Sequence, residues 1–448
     1  MHARIVIIAA MGFLASGCTG LAGPMPGEDD AGSETDAGAV GGGAGGGSAT
    51  GGGGSASGGG GAATGGGGIS TGGGTATGGG GGGGGSVMEV DAGPTRVPVF
   101  VAVGKQVRRA ISCDDGLTWK NDVSVDDAWP MDERYRCFSG NFALPDGGSQ
   151  GTDCDHNAYS STSLAYADGA FLQSTGWGAP GTFHRSTDGV SWSQVFTGAN
   201  VTDLMVGNGR IIAATRYSRV SDDLGLTWSS GSEIEVANGA NTIWNVRGGA
   251  YGGGVFLVTA QDGANLDFAY SNNAGMTWQR PTMVGGGRVD ACGAGHPAWG
   301  NGIFVTVSQS MSTITVCRSN DGAQTWSSST ISNEYFESRP VWTGSEFMFW
   351  GNGKVFRSVD GTTWTVANTQ TRRAGMLSSG PNIGPVAVNA NGTLVAVKGG
   401  WQTWYEQQRF YRSTDGVIWD ELATGSYEQG HPMTAVVAGF ADRSTVCP

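Results

Sequence analysis

The sequence predicts an all-β fold: a seven-bladed β-propeller of four-stranded blades, closed by a C-terminal strand that completes blade 1 and preceded by a disordered Gly-rich tether. Three observations carry this. The stretch RSTDGVSW at Arg185–Trp192 returns as RSTDGVIW at Arg412–Trp419, and five looser copies of the same box bring the number to seven. An apolar run, a Gly-rich turn and a second apolar run stand before six of the boxes. The first box has only one such run before it, and an unused run of the missing kind follows the last box. Self-similarity at a fixed period of this length marks a propeller, in which each repeat is one blade.

Taken in chain order, residues 1–17 read as an export signal. Met1–Cys18, MHARIVIIAAMGFLASGC, has a short basic start, an apolar run from Ile5 to Leu14 and small residues before the cysteine. The run is too short to cross a bilayer as a stable helix. Leu14-Ala15-Ser16-Gly17-Cys18 resembles the lipobox of bacterial lipoproteins, with Ala15 where that box commonly has Leu. The resemblance implies a lipid on Cys18 and a protein held to a membrane by its acyl chains. With Thr19 and Gly20 after the cysteine, it further implies a cell-envelope, outer-membrane lipoprotein facing either the periplasm or the cell surface.

Residues 18–92 are almost all Gly, Ala, Ser and Thr, and hold 34 of the 83 glycines. Such a segment cannot bury enough apolar surface to offset its ordering entropy, so it is expected to be a disordered linker. About 70 residues of this type span roughly 45–50 Å root-mean-square. No strand–loop–helix context or Lys-Ser/Thr follows the glycines, which excludes a phosphate loop.

Residues 93–448 carry the repeats, about 51 residues to a blade. The boxes are Ser112–Trp119, Ser186–Trp192, Ser221–Trp228, Ser271–Trp278, Ser319–Trp326, Ser358–Trp364 and Ser413–Trp419. Within each, an acidic or amide side chain accepts backbone N–H groups across a tight turn: Asp114, Asp188, Asp223, Asn273, Asp321, Asp360 and Asp415. Gly supplies positive φ, and Trp re-enters a strand to cover the neighbouring sheet. In the fifth box Ala323 takes the usual Gly place and Gly322 comes one residue early. Runs such as LMVGNGRI (Leu204–Ile211) and PAWGNGIF (Pro297–Phe304) are the hairpins of the two inner strands. VPVFVAVG (Val97–Gly104) lacks its partner, and HPMTAVVAG (His431–Gly439) supplies it.

The boxes resemble the Asp-box, or bacterial neuraminidase repeat, of sialidase-like propellers, Ser-x-Asp-(x)-Gly-x-Thr-Trp, over the whole chain after the linker. That resemblance implies scaffold roles for the box residues, because in such enzymes they lie on the outer rim, away from the active site. Arg96-Val97-Pro98 is similar to the Arg-Ile-Pro of the sialidase first strand. Sialidases use three carboxylate-binding arginines, a Tyr–Glu nucleophile pair and an Asp acid/base. Here Arg185, Arg318, Arg357 and Arg412 share one slot just before a box, which makes them repeat scaffold, and Arg96, Arg288, Arg339 and Arg409 remain. Other propellers with these repeats are protein-binding platforms.

Lys plus Arg total 25 against 38 Asp plus Glu, a net charge of −13 with no basic run, which excludes a nucleic-acid partner. Ligands are sought where blades differ. The residues aligned at the start of the inner strands are Ser163, Asp203, Gly248, His296, Arg339, Val386 and His431, expected at the channel mouth. On the same face, loops 124–160 and 399–410 are long, the second carrying Trp401, Trp404 and Tyr405 as candidate stacking residues. The candidate ligand face is therefore Asp203, His296, Arg339, His431, Trp401, Trp404 and Tyr405. No residue is assigned to catalysis, to a metal or to a cofactor, since no Cys/His cluster has ligand spacing. The expected function is a membrane-anchored binding module for a glycan or protein, the propeller itself monomeric; the alternative is an exo-sialidase or another glycoside hydrolase using the same face. In an oxidising compartment the cysteines should pair as Cys113–Cys447 across the ring seam, Cys137–Cys154 around the first long loop and, by exclusion, Cys292–Cys317.

Overall fold

The computed structural model describes residues 96–104, 108–123, 142–143, 149–150, 161–175, 182–198, 201, 203–215, 217–234, 245–262, 265–286, 289, 292, 295–310, 312–336, 338–381, 383–397, 410–422, 433–442 and 446–447. From inner to outer edge, blade 1 consists of Met433–Asp442, Arg96–Gly104, Arg109–Ser112 and Lys120–Val123, so the C-terminal strand does complete the first blade. Blade 2 is Ser161–Ala167, Ala170–Thr175, Thr182–Ser186 and Ser193–Thr197; blade 3 is Asp203–Gly207, Arg210–Ala214, Tyr217–Ser221 and Ser229–Glu233. Blade 4 is Asn245–Gly252, Val255–Asp262 and Asn265–Ser271. Blade 5 is Pro297–Gly300, Ile303–Ser310, Thr313–Ser319 and Thr325–Ser332; blade 6 is Val341–Trp342, Phe347–Gly351, Lys354–Ser358 and Thr365–Asn368. Blade 7 is Val386–Val388, Leu394–Val397, Phe410–Ser413 and Ile418–Leu422. Each inner strand lies against the next, and that of blade 7 against that of blade 1, so the ring closes.

Three blades depart from four strands. Blade 4 has three, because after Trp278 the chain makes a single bridge, Tyr270 with Gln279, and then meets Pro281. Proline has no N–H to continue a ladder. The next two residues, Thr282–Met283, pair in parallel with the outer strand of blade 5 instead. Blade 7 gains the hairpin Gln370–Arg373 and Met376–Ser379, laid parallel on its outer strand Ile418–Leu422.

The core is divided into seven clusters, one between each pair of adjacent blades; Leu172, Leu204 and Ile211 with Trp228, for example, fill the space between blades 2 and 3. The box turns key these interfaces together. Gly116, Gly189, Gly225, Gly275, Gly361 and Gly416 all have φ between +69° and +82°. A Cβ on any of them would come within 2.0–3.0 Å of the preceding blade's second strand, at Val395, Val101, Leu172, Ile212, Val305 and Met348 respectively. Two demands, left-handed backbone and close approach, thus select glycine. In the fifth box Ala323 occupies this place at φ +66°, fully buried with Leu257 and Val255 of blade 4.

The same turns are tied by hydrogen bonds. In six boxes the serine Oγ accepts from the glycine N–H, at 2.8–3.0 Å, and in the fifth from Ala323 N–H at 3.1 Å. Arg185, Arg318 and Arg412 each donate Nε–H to a carbonyl of the next blade's turn, Leu224, Asp360 and Asp115, at 2.7–2.8 Å. At the seam Asp115 also accepts from Asn389 Nδ2 and Thr393 Oγ1 of blade 7, at 2.6 and 2.7 Å. A disulfide joins Cys113 to Cys447 there, with Cα atoms 5.7 Å apart. A second joins Cys292 to Cys317, Cα atoms 5.4 Å apart, with Val289 and Cys292 buried in the core between blades 4 and 5. Cys18, Cys137 and Cys154 lie outside the described residues.

Two predictions follow from this seam and these turns. Cys447→Ser should lower stability by about 2–4 kcal/mol, read as a lower melting temperature under non-reducing conditions, since the bond closes a separation of 334 residues. Hydrogen bonds from the Thr227 hydroxyl and N–H, then from Ser221, hold the Asp223 carboxyl at about 2, and those from Thr363 and Thr362 N–H lower that of Asp360. A folded value below the unfolded one, about 3.9, stabilises fully above pH ~4 and is lost as pH falls through 2. Melting temperature should therefore hold level down to about pH 4 and fall between pH 4 and 2.

Candidate functional site

Inner strands start on the face that also carries the turns between second and third strands, opposite the box turns. Antiparallel pairing fixes this: Asp203, first in its strand, pairs with Ala214, last in the next. Each inner strand lies beside the next, so residues at these starts are brought within reach of one another.

Asp203 is the centre of what they form. Its side chain is fully buried. Oδ1 accepts from Ser163 Oγ of blade 2 at 2.8 Å and from Leu204 N–H at 3.1 Å. Oδ2 accepts from Gly249 N–H of blade 4 at 2.9 Å and from Arg339 Nη1 of blade 6 at 3.4 Å. His296 of blade 5 brings Nδ1 to 3.7 Å from the same oxygen. Gly248 permits this, because a Cβ there would lie 2.2 Å from His296 Nδ1. Five consecutive blades thus converge on one carboxylate, and the Arg339 side chain spans from blade 6 to blade 3 to reach it.

Arg339 keeps 20% of its side chain accessible and His296 25%. Burial pulls the Arg339 guanidinium below its ordinary value, while the Asp203 carboxylate opposes that shift. The arrangement can present a cationic, hydrogen-bonding surface to an incoming polar group while Asp203 neutralises it from behind. Among the described residues it supplies no nucleophile and no second carboxylate. Among the described residues no group of three or more His, Cys, Asp or Glu could hold a metal ion.

Of the candidate ligand residues, Asp203, His296 and Arg339 are brought together; His431, Trp401, Trp404 and Tyr405 lie outside the described residues, as do Arg288 and Arg409. Arg96 sits elsewhere. It pairs with Asp442, the far end of the inner strand of blade 1, and its guanidinium packs over Gly169 in the turn of blade 2. Nine residues of strand separate that end from Gly104, roughly 30 Å, so Arg96 and Arg339 belong to opposite faces and do not form one carboxylate clamp. Arg357, in the box slot, is paired with Glu346 of its own blade. Sequence comparison of blades missed a second polar cluster, Arg109 with Gln173, although both stand where the other blades carry uncharged and mostly apolar residues.

Asp203→Asn and Arg339→Met should each destabilise by about 1–3 kcal/mol in urea unfolding. The double variant should lose less than the sum of the two, with a coupling of about 0.5–2 kcal/mol.

No family model matches the chain, and no curated protein matches it. Solved structures similar to it include a putative 6-phosphogluconolactonase from Bacteroides uniformis, with a TM-score of 0.44, 9% identity, and 77% of this chain and 99% of that one covered. YCF48 from Cyanidioschyzon merolae aligns with a TM-score of 0.42 at 11% identity, covering 66% of this chain and 87% of that one. Hadza microbial sialidase Hz136 aligns with a TM-score of 0.33 at 14% identity, covering 59% and 62%.

Proposed function

We propose that this protein is a binding module of the cell envelope, an Asp-box propeller held to a membrane through Cys18 on its Gly-rich tether, which takes a glycan or a protein at the face where the inner strands begin. The observation that carries this reading is the commitment of Asp203. Most glycosidases need two carboxyl groups about 5–9.5 Å apart, and a sialidase needs a Glu beside its Tyr nucleophile and an Asp acid/base, so either needs at least one carboxyl group free to exchange a proton or attack. Among the described residues at the inner-strand starts, Asp203 alone has a carboxylate, and it is buried and hydrogen-bonded to three other blades. The accessible parts of Arg339 and His296 offer recognition without chemistry, donors that would orient an acidic or hydroxyl-rich ligand. The separation of Arg96 from Arg339 speaks in the same direction. The lipobox and the tether favour display away from a membrane surface.

Purified protein tested on a glycan array and in affinity capture from an envelope extract should retain a ligand that Arg339→Ala with His296→Ala releases at least tenfold more readily. The same preparation should leave a fluorogenic sialoside intact. Steady turnover of the sialoside would replace this reading with the hydrolase one.

A further inference from the structure

Three residues before the box serine, six blades carry an uncharged, buried side chain: Phe183, Ser218, Phe268, Val316, Val355 and Phe410. Where that residue is Phe, the box tryptophan of the next blade packs on it. Trp228 lies 4.4 Å from Phe183, Trp326 4.7 Å from Phe268 and Trp119 3.7 Å from Phe410. Blade 1 puts Arg109 in this seat. The guanidinium takes the place of the phenyl ring and lies 4.6 Å from the Trp192 ring of blade 2.

Arg109 is 6% exposed. Its Nε donates to Gln173 Oε1 at 2.8 Å, a residue that replaces Ala102, Ala213, Val258, Thr306, Phe349 or Ala396 of the other blades. Its Nη2 is buried and has no hydrogen-bond partner among the described residues. Burial pulls the guanidinium down to about 9, with no anionic group among the described residues working against it, and at that value it remains charged at neutral pH. The titratable neighbour is His184, which burial and then the charge of Arg109 push down to about 4, leaving it neutral.

A buried, uncompensated cation costs several kcal/mol. Stacking on Trp192 returns about 0.5–2 kcal/mol of that. A water molecule would satisfy the N–H but leave the charge. A bound anion supplies both an acceptor and the opposite charge. Because Nη2 is shut off from bulk solvent, an ion of a few atoms fits the requirement and an oligosaccharide does not.

We infer that the interface between blades 1 and 2 binds a small monovalent anion, a halide or a compact carboxylate, at Arg109 Nη2. The site is independent of the channel mouth, since it lies within the packing between two blades and shares no residue with the Asp203 cluster.

The test is thermal unfolding of the full chain at constant ionic strength, with sodium gluconate replaced stepwise by sodium chloride or sodium formate. Chloride, formate or both should raise the melting temperature saturably, by about 2 °C at ten times Kd, and Arg109→Met should abolish the rise. A halide site responds to chloride and a carboxylate site to formate. Equal stability in all three salts, or an unchanged response in Arg109→Met, would overturn the inference. Should Arg109→Met fail to fold, crystals of the wild-type protein grown in bromide decide the matter: an anomalous peak beside Nη2 is expected, and a water molecule or nothing there in its place would refute the site.

Discussion

Around the ring, a turn that presents no side chain presses against the second strand of the blade before it. That contact is the constraint from which the rest is arranged. A Cβ would fall as close as 2.0 Å to Leu172 at Gly225, and the backbone there runs left-handed, so neither the space nor the conformation tolerates an ordinary residue. With the turn seated, serine and aspartate have fixed places from which to hold it, and the tryptophan re-enters its strand against the neighbouring blade. Arginines from the preceding blade then find its carbonyls within reach. The fifth box shows how far the constraint can bend: Ala323 holds the same left-handed backbone, at φ +66°, and its methyl group is buried with Val255 and Leu257.

Asp203 plays a comparable part at the other end of the inner strands. A carboxylate bonded to Ser163, Gly249 and Arg339 ties together blades that share no strand pairing, and Arg339 does so across the ring. Propeller blades are joined chiefly by apolar packing, which is tolerant of small slides. A charged bond of fixed direction is not. The cluster therefore defines the relative height of the blades at the face where a ligand would meet them, and it leaves Arg339 and His296 held in place before any ligand arrives, which lowers the ordering cost of binding.

The ring was legible because its seven turns repeat a demand that few residues satisfy, and such demands leave a mark in the sequence. Closure by Met433–Asp442 and the bond from Cys113 to Cys447 were legible for the same reason, since a blade missing one strand must find it elsewhere. The outer edges were not. No common neighbour constrains the fourth strand, so Pro281 sufficed to send Thr282–Met283 to blade 5, and the hairpin Gln370–Ser379 joined blade 7 without a signal that distinguishes it from a loop. At the site, alignment of the blades brought Asp203, His296 and Arg339 to one place, but not the bond across the ring, which depends on how narrow the bore is at that level. Arg109 and Gln173 were visible in principle. They break a pattern at positions whose regular occupants are buried, and breaks of that kind are found by asking what each blade lacks as well as what all blades share.

The position of the first strand has a mechanical consequence. Arg96–Gly104 is the second strand of its blade, held on one side by Met433–Asp442 and on the other by Arg109–Ser112. Tension transmitted through the chain before Arg96 and directed along the propeller axis would load both ladders in shear, so their hydrogen bonds resist together instead of opening one at a time. Were the strand drawn out, the loop to the next strand would tighten only as far as Cys113, where the bond to Cys447 passes the load to the opposite terminus. Both ends of the chain would then bear on a single covalent point, and a pull on one would be carried by the whole ring.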